Sequence, residues 1–205
     1  TLFAPGLYNR YYEWDSSINI QNVDTSDASV TVTYSDGKVV NKTLKPGASV
    51  LLYQPLEGHR EKWNGGATIG SNRDIVAIVN SASDFQQAQT YSSAGSGGQT
   101  VGLPIIPRYD SGWLSSFTVM NVDSSTVNYT IHYSNGKTKS DSLPPAQIKE
   151  YYLPVQPEVP QGFGGGAVVK STNGRNIAVI VNQTYENQAG GDWSMSYNGV
   201  VPLAA

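Results

Sequence analysis

The side chains able to do chemistry are few. There are two histidines, His59 in the segment EGHREK and His132 in TIHYS, and the chain has no cysteine. A serine nucleophile needs a histidine base and a strained G-x-S-x-G turn to present it, and no such turn occurs. His59 lies in a polar loop and His132 on the polar side of an alternating stretch, so both are read as solvated surface histidines. Carboxylates are the next candidates. Glu57 with Glu61, and Glu150 with Glu158, are the pairs that a glycosidase mechanism would draw on, but neither sits in a recognisable motif. Asp24, Asp27, Asp36 and Asp123 offer oxygen ligands to calcium, yet no D-x-[DN]-x-[DN]-G loop is present. Asp24 and Asp123 are expected instead to hydrogen-bond the backbone of a turn. A lysine–asparagine isopeptide staple would use Asn80 or Asn182 as acceptor, but the first lysine is Lys38, past the early strands. Asn80 and Asn182 are therefore expected to end strands or cap loops. The chain is read as no enzyme, with no catalytic residue, metal ligand or cofactor site assigned.

The aromatic residues carry the stronger binding signal. Rings in rows stack against the apolar faces of sugars. Tyr8, Tyr11, Tyr12 and Trp14 cluster near the start, and Tyr109 with Trp113 matches part of that group. Trp14/Trp113 and Trp63/Phe163 recur between the halves of the chain and are read as core or corner residues. Tyr8, Tyr12, Tyr185 and Trp193 do not recur, so packing common to both halves does not demand them. They are the candidate surface for a glycan or another partner. Sequons at Asn41, Asn128 and Asn182 permit glycosylation in an exporting cell.

These residues must be positioned by a repeated unit. Trp14–Pro46 lies over Trp113–Pro145 without a gap, with 14 of 33 positions identical. Further on, GGATIGSNRDIVAIVN from Gly65 to Asn80 matches GGAVVKSTNGRNIAVIVN from Gly165 to Asn182, with one insertion of two residues. In the first copy Val30, Val32 and Tyr34 alternate with Thr31, Thr33 and Ser35. Tyr129, Ile131 and Tyr133 alternate likewise in the second. Period two marks a half-buried strand. Asp36-Gly37 and Asn135-Gly136 are expected to supply the left-handed angles of tight hairpin turns. Further short strands are expected at Ser49–Tyr53, Ala67–Gly70 and Ile75–Val79. No segment of helical length and period appears. The fold class expected is all-β: two tandem antiparallel immunoglobulin-like β-sandwich domains, 1–97 and 98–205, joined through the Gly/Ser-rich seam Ser92–Thr100.

Composition narrows the partners. Of 205 residues only 14% are charged and the net charge is −3, which leaves no basic surface for nucleic acid. No apolar run reaches the roughly 20 residues of a membrane-spanning helix. The first residue is threonine, read as the start of a processed mature protein or of a trimmed chain, with the export signal already gone.

Several phrases form a series: Leu103-Pro104, Gly112-Trp113, NVDSS at Asn121–Ser125, PQGFGGGAVV at Pro160–Val169, IAVIVN at Ile177–Asn182 and SYNG at Ser196–Gly199. It resembles a tandem repeat of about 100 residues in secreted surface proteins of filamentous, often thermophilic, bacteria. The resemblance covers both copies and is stronger in the second. The first departs from it at Glu13, where the pattern has Gly, and at Tyr91-Ser92-Ser93, where it has Tyr-Asn-Gly. It implies a β-sandwich array at the cell surface or outside the cell, and brings no agreed activity.

The apolar tail Val200-Val201-Pro202-Leu203 resembles the opening strand of a further copy. It is read either as fraying or folding back on its own domain, or as adding to the first domain of another copy of this chain, head to tail, so that subunits build a surface assembly or filament. The alternative reading is a carbohydrate-binding or adhesive module.

Overall fold

The computed structural model describes residues 1–84, 87–185 and 193–202. It divides into two compact units, Thr1–Ser96 and Gly97–Ala205. All strand pairings are antiparallel, and the described residues contain no α-helix.

The first unit has eight strands: β1 (Leu2–Asn9), β2 (Trp14–Asn22), β3 (Ala28–Tyr34), β4 (Val39–Leu44), β5 (Ser49–Tyr53), β6 (Trp63–Ser71), β7 (Ile75–Ser83) and β8 (Ala88–Ser92). They form two sheets, ordered β1-β6-β3-β4 and β5-β2-β7-β8. The second unit has β9 (Thr100–Leu103), β10 (Arg108–Asp110), β11 (Trp113–Asn121), β12 (Val127–Tyr133), β13 (Thr138–Leu143), β14 (Ile148–Tyr152), β15 (Ala167–Ser171), β16 (Ile177–Tyr185) and β17 (Ser194–Asn198). Its sheets run β13-β12-β15-β9 and β10-β11-β16-β17, with β14 also on β11. From β2/β11 to β5/β14 the paired strands begin and end 99 residues apart, for example 14–22 and 113–121. Each β5 or β14 runs into a single 3-10 turn, Gln54–Leu56 or Leu153–Val155.

Alternation sets the layers. Val30, Val32 and Tyr34 of β3 point inward, as do Tyr129, Ile131 and Tyr133 of β12. In the second unit one apolar cluster draws on both sheets: Val101, Leu103, Tyr129, Ile131 and Val169 from one, Phe117, Val119, Tyr151, Val179 and Val181 from the other. That is a β-sandwich-like arrangement, held by burial worth roughly 1.5–3 kcal/mol for each large apolar side chain. Phe117 stacks on Tyr151 at 5.0 Å, and the buried Tyr129 and Tyr151 hydroxyls hydrogen-bond at 2.7 Å.

The repeated phrases are structural locks. Asn22 is fully buried; its amide donates to the carbonyls of Ser26 and Leu44 and its oxygen accepts from Asp24 N. Asn121 makes the same three bonds, to Ser125, Leu143 and Asp123. A buried amide unable to reach those carbonyls would cost about 1–3 kcal/mol, which accounts for the repeated Asn-Val-Asp. Asp24 accepts from Ser26 N, a turn bond of the kind expected from the sequence, whereas Asp123 pairs with Arg175. Ser35 and Ser134 each accept a hydrogen bond from a glycine amide, Gly66 within β6 and Gly166 just before β15.

The β3–β4 and β12–β13 turns differ from expectation. Only the glycines are left-handed, at φ 87° and 83°. Tyr34 pairs with Lys38 across a three-residue loop, Gly37 N donates to Tyr34 O, and the second unit repeats this. Asp36 and Asn135 instead accept from the amides of Lys38 and Lys137. The loop is a turn closed by a left-handed glycine, not a two-residue turn with both centres inverted.

Candidate binding site

The turn between β1 and β2 departs most from ordinary backbone geometry. Tyr11 and Trp14 exchange both backbone hydrogen bonds, 3.1 and 3.0 Å, around the two-residue loop Tyr12-Glu13. Both loop residues have positive φ, 47° and 66°, and Arg10 before them has 48°. This is the φ signature of a tight hairpin, which glycine and asparagine fill without strain. The second unit has the same conformation at Tyr109, Ser111 and Gly112, φ 52°, 50° and 85°. The turn is thus common to both units, but the first places a tyrosine and a glutamate where the second places serine and glycine. Left-handed backbone costs a non-glycine residue roughly 1–2 kcal/mol. In return Tyr12 stands at the tip, 78% exposed. Tyr12 meets Tyr11 edge-on at 4.8 Å, and Tyr11 stacks on Tyr8 at 5.8 Å.

The space around the turn explains the exchange. In the second unit Trp113 pairs with Tyr185, and a Cβ on Gly112 would lie 2.7 Å from the Tyr185 ring. In the first, Trp14 faces the small Ser83, which leaves room for a side chain at Glu13. Trp113, Tyr185 and Trp193 then form a second aromatic row, each adjacent pair 5.4 Å apart, ending at Trp193, which is 60% exposed.

Beside the first turn the outer face of β5-β2-β7-β8 carries a depression of about 300 Å³. Asp15, Ser17, Tyr53, Asn80, Asp84 and Thr90 line it. The Asp84 amide donates to the Glu13 carbonyl at 3.3 Å, so turn and depression adjoin. Asp15 accepts from Arg10 N at 2.7 Å and from the Tyr53 hydroxyl at 3.1 Å. Partial burial, reinforced by the bond to Asp15 and its charge, raises the Tyr53 phenol above its ordinary value, so it stays a donor.

Of the four aromatic candidates, Tyr12, Tyr185 and Trp193 lie at these turns. Tyr8 is corrected: it lies within β1, is 5% exposed and supports Tyr11 from behind, so it presents no surface. Asn41 and Asn128 are exposed on β4 and β12. Asn182 is buried in β16, where its oxygen accepts from Ser196 at 2.6 Å, so that sequon is closed in the folded chain. Asn80 likewise lies inside β7, accepting from Thr90 at 2.8 Å, and neither asparagine ends its strand.

At Val200 the tail folds back on its own unit, the first of the two readings of it. Val200 exchanges backbone hydrogen bonds with Gly102 of its own unit, 2.8 and 2.9 Å. Ala94 does the same to Phe3 in the first unit, both bonds 2.8 Å. Val200 therefore closes the second unit as Ala94 closes the first, and its backbone is not a free strand. Val201 and Pro202 follow it, exposed, and Leu203 lies outside the described residues.

Sequence reasoning missed His59. Its side chain is buried, stacked on Trp63 at 3.9 Å and edge-on to Tyr34 at 4.5 Å. Nδ1 lies 2.7 Å from an Asp36 oxygen and Nε2 3.1 Å from the Gln54 oxygen, whose amide nitrogen donates to Leu52 O. Both ring nitrogens thus face acceptors. Burial alone pushes the Asp36 carboxyl up, but hydrogen bonds from His59 and Lys38 N outweigh it and hold the carboxyl below its usual range. The second unit keeps the tie with other chemistry: Asn135 donates to the Glu158 carbonyl and Lys139 pairs with the Glu158 carboxylate. The His59–Asp36 pair is thus a clasp between hairpin and loop. The only sequence signal was that Asp36 and His59 diverge together from Asn135 and Glu158. His132 is exposed on β12. Among the described residues no three of His, Asp and Glu gather where they would hold a metal ion. No described helix is long and apolar enough to cross a membrane, which leaves strand-built spans unaddressed.

No family model matches the chain. No curated protein matches it either. Among solved structures it is similar to Thermotoga maritima 1070, at 15% identity over 51% of this chain and 94% of that one, with a TM-score of 0.36. It is also similar to an oxalate decarboxylase described for its substrate binding mode, at 7% identity over 94% and 68% of the two chains, TM-score 0.28. Bacillus subtilis oxalate decarboxylase gives the same identity and coverage, with a TM-score of 0.27. Likeness at this level carries no statement about activity.

Proposed function

We propose that the chain is a non-catalytic adhesive module, a pair of immunoglobulin-like β-sandwich domains that binds carbohydrate outside the cell through aromatic rings at equivalent turns. The observation that carries this reading is the first-unit turn. The three left-handed positions of this turn, Arg10, Tyr12 and Glu13, are all non-glycine and hold one ring out in solvent, while the second unit has Tyr109, Ser111 and Gly112, with a small serine where the ring stands and glycine at the last position. One more left-handed non-glycine residue beside a displayed ring, replaced by glycine in the copy that displays no ring there, favours a role for the residue displayed. Trp193 supplies a comparable ring beside the second turn. The extracellular placement rests on the resemblance to surface-protein repeats.

Affinity electrophoresis through gels carrying soluble polysaccharides tests the reading. At least one polysaccharide should retard the wild-type chain, and Tyr12→Ala with Trp193→Ala should restore free migration. Retardation that survives both substitutions would sink it.

A second reading, a subunit of a surface assembly, keeps one observation. Leu51, Val76 and Ile78 are exposed on the β5-β2-β7-β8 face. Self-association through that face, not through the tail, is its present form, and light scattering across a concentration series tests it.

A further inference from the structure

The depression beside the Tyr12 turn has a one-sided charge. Among the described residues its carboxylates are Asp15 and Asp84, and no lysine or arginine lines it. Arg10, whose backbone amide holds Asp15, carries its guanidinium to Glu61 at 3.3 Å. The remaining lining groups are neutral. Thr90 donates to Asn80 Oδ1, which leaves the Asn80 amide nitrogen as a donor toward the depression. Each Asp15 oxygen accepts one bond and retains a second lone pair, and Ser17 adds a hydroxyl. The volume, about 300 Å³, is at the small end of ligand sites, roughly 300–1,000 Å³.

We infer that this depression receives one uncharged sugar residue of a glycan whose neighbouring residue stacks on Tyr12, and that it discriminates against acidic sugars. The inference rests on the carbohydrate-binding reading and deepens it. Adjacent hydroxyls of a pyranose donate to the Asp15 and Asp84 carboxylates, charge-assisted bonds about twice as strong as neutral ones. Another sugar oxygen accepts from the Asn80 amide. The acid group of a uronate, sulfated sugar or sialic acid instead meets two like charges, and Arg10, the cation whose charge reaches Tyr53, is already paired with Glu61. In a partly hydrated site the two like-charge repulsions together weaken acidic glycans by about tenfold at low salt. Salt screens that penalty, so the discrimination shrinks as ionic strength rises.

A glycan array with neutral, uronic-acid and sulfated members, read at low and high salt, tests this in the Trp193→Ala chain, where the first-unit ring is left alone, and in that chain with Asp84→Asn or Tyr12→Ala added. The expected result is binding confined to neutral glycans in Trp193→Ala, abolished by adding Tyr12→Ala. Asp84→Asn should lower neutral-glycan signal and raise acidic-glycan signal severalfold. Binding of acidic glycans as strong as neutral ones, or unchanged selectivity in Asp84→Asn with binding still lost in Tyr12→Ala, overturns the inference and leaves the aromatic reading standing. Silence on every glycan, or binding indifferent to Tyr12, overturns both.

Discussion

Gly112 and Glu13 occupy one position of the same turn, and exchanging their chemistry should have opposite effects. In Gly112→Ala the new side chain sits at φ 85°, where strain is roughly 1–2 kcal/mol. About 0.5–1 kcal/mol of that is returned because alanine narrows the unfolded ensemble. The new Cβ would also lie 2.7 Å from Tyr185 Cε2 and 3.1 Å from Cζ, so the ring must move and loosen its contact with Trp113. Such aromatic pairs are worth about 0.5–1.5 kcal/mol. The total is about 2 kcal/mol lost from the second unit, or about 30-fold in its opening equilibrium. In Glu13→Gly no ring stands over the site, strain is relieved, and the first unit should gain about 0.5 kcal/mol. Peptide-resolved hydrogen exchange assigns each effect to its unit: β11 and β16 should exchange about 30-fold faster in Gly112→Ala, with β2 and β7 unchanged. Combining Gly112→Ala with Tyr185→Ala should leave only the backbone cost, a coupling of about 1 kcal/mol. Equal exchange in Gly112→Ala and wild type, or strict additivity with Tyr185→Ala, would refute the argument that Tyr185 is why this turn needs glycine.

Three further outcomes follow from the same structure. Gly37→Val and Gly136→Val should each destabilise their own unit by roughly 1–2 kcal/mol through strain alone, since nothing lies within 4 Å of either Cβ; unit-specific exchange checks this, and no change would mean the loop conformation is wrong. Because the folded Asp36 carboxyl is held below its usual range, its contribution is present above the unfolded carboxylate range and is lost as pH falls through the folded value; the hairpin β3–β4 should therefore loosen in acid, and Asp36→Asn should flatten that part of a pH-dependent exchange profile. Expression through a eukaryotic secretory pathway should glycosylate Asn41 and Asn128 before Asn182, and glycopeptide mass spectrometry showing stoichiometric glycan on Asn182 of folded protein would contradict its burial in β16.

Much of the scaffold could be read without coordinates because its determinants are local. Val30, Val32 and Tyr34 alternate, Gly37 follows them, and the phrase recurs 99 residues later, so strand, turn and repeat are all legible. The site was legible only in part, because burial depends on partners distant in the chain. Tyr8 and Tyr12 are four residues apart and chemically alike. One lies inside β1 and the other on a left-handed turn, a difference set by pairing with β6 and by the Tyr11–Trp14 bonds. His59 looks like a loop residue until Asp36 and Trp63 close around it. The tail resembles an opening strand because edge strands share an apolar composition. Which edge it meets is a tertiary fact, settled at Val200 by Gly102.

The central claim is that Tyr12 meets a sugar ring. Saturation-transfer difference NMR tests it most directly, using an oligosaccharide cut from a polysaccharide that retards the protein and irradiation of aromatic protons. In the Trp193→Ala chain, strong transfer to the sugar C–H protons of one face is expected, and its loss when Tyr12→Ala is added with the fold intact by exchange. Transfer unchanged by adding Tyr12→Ala to that chain would contradict it.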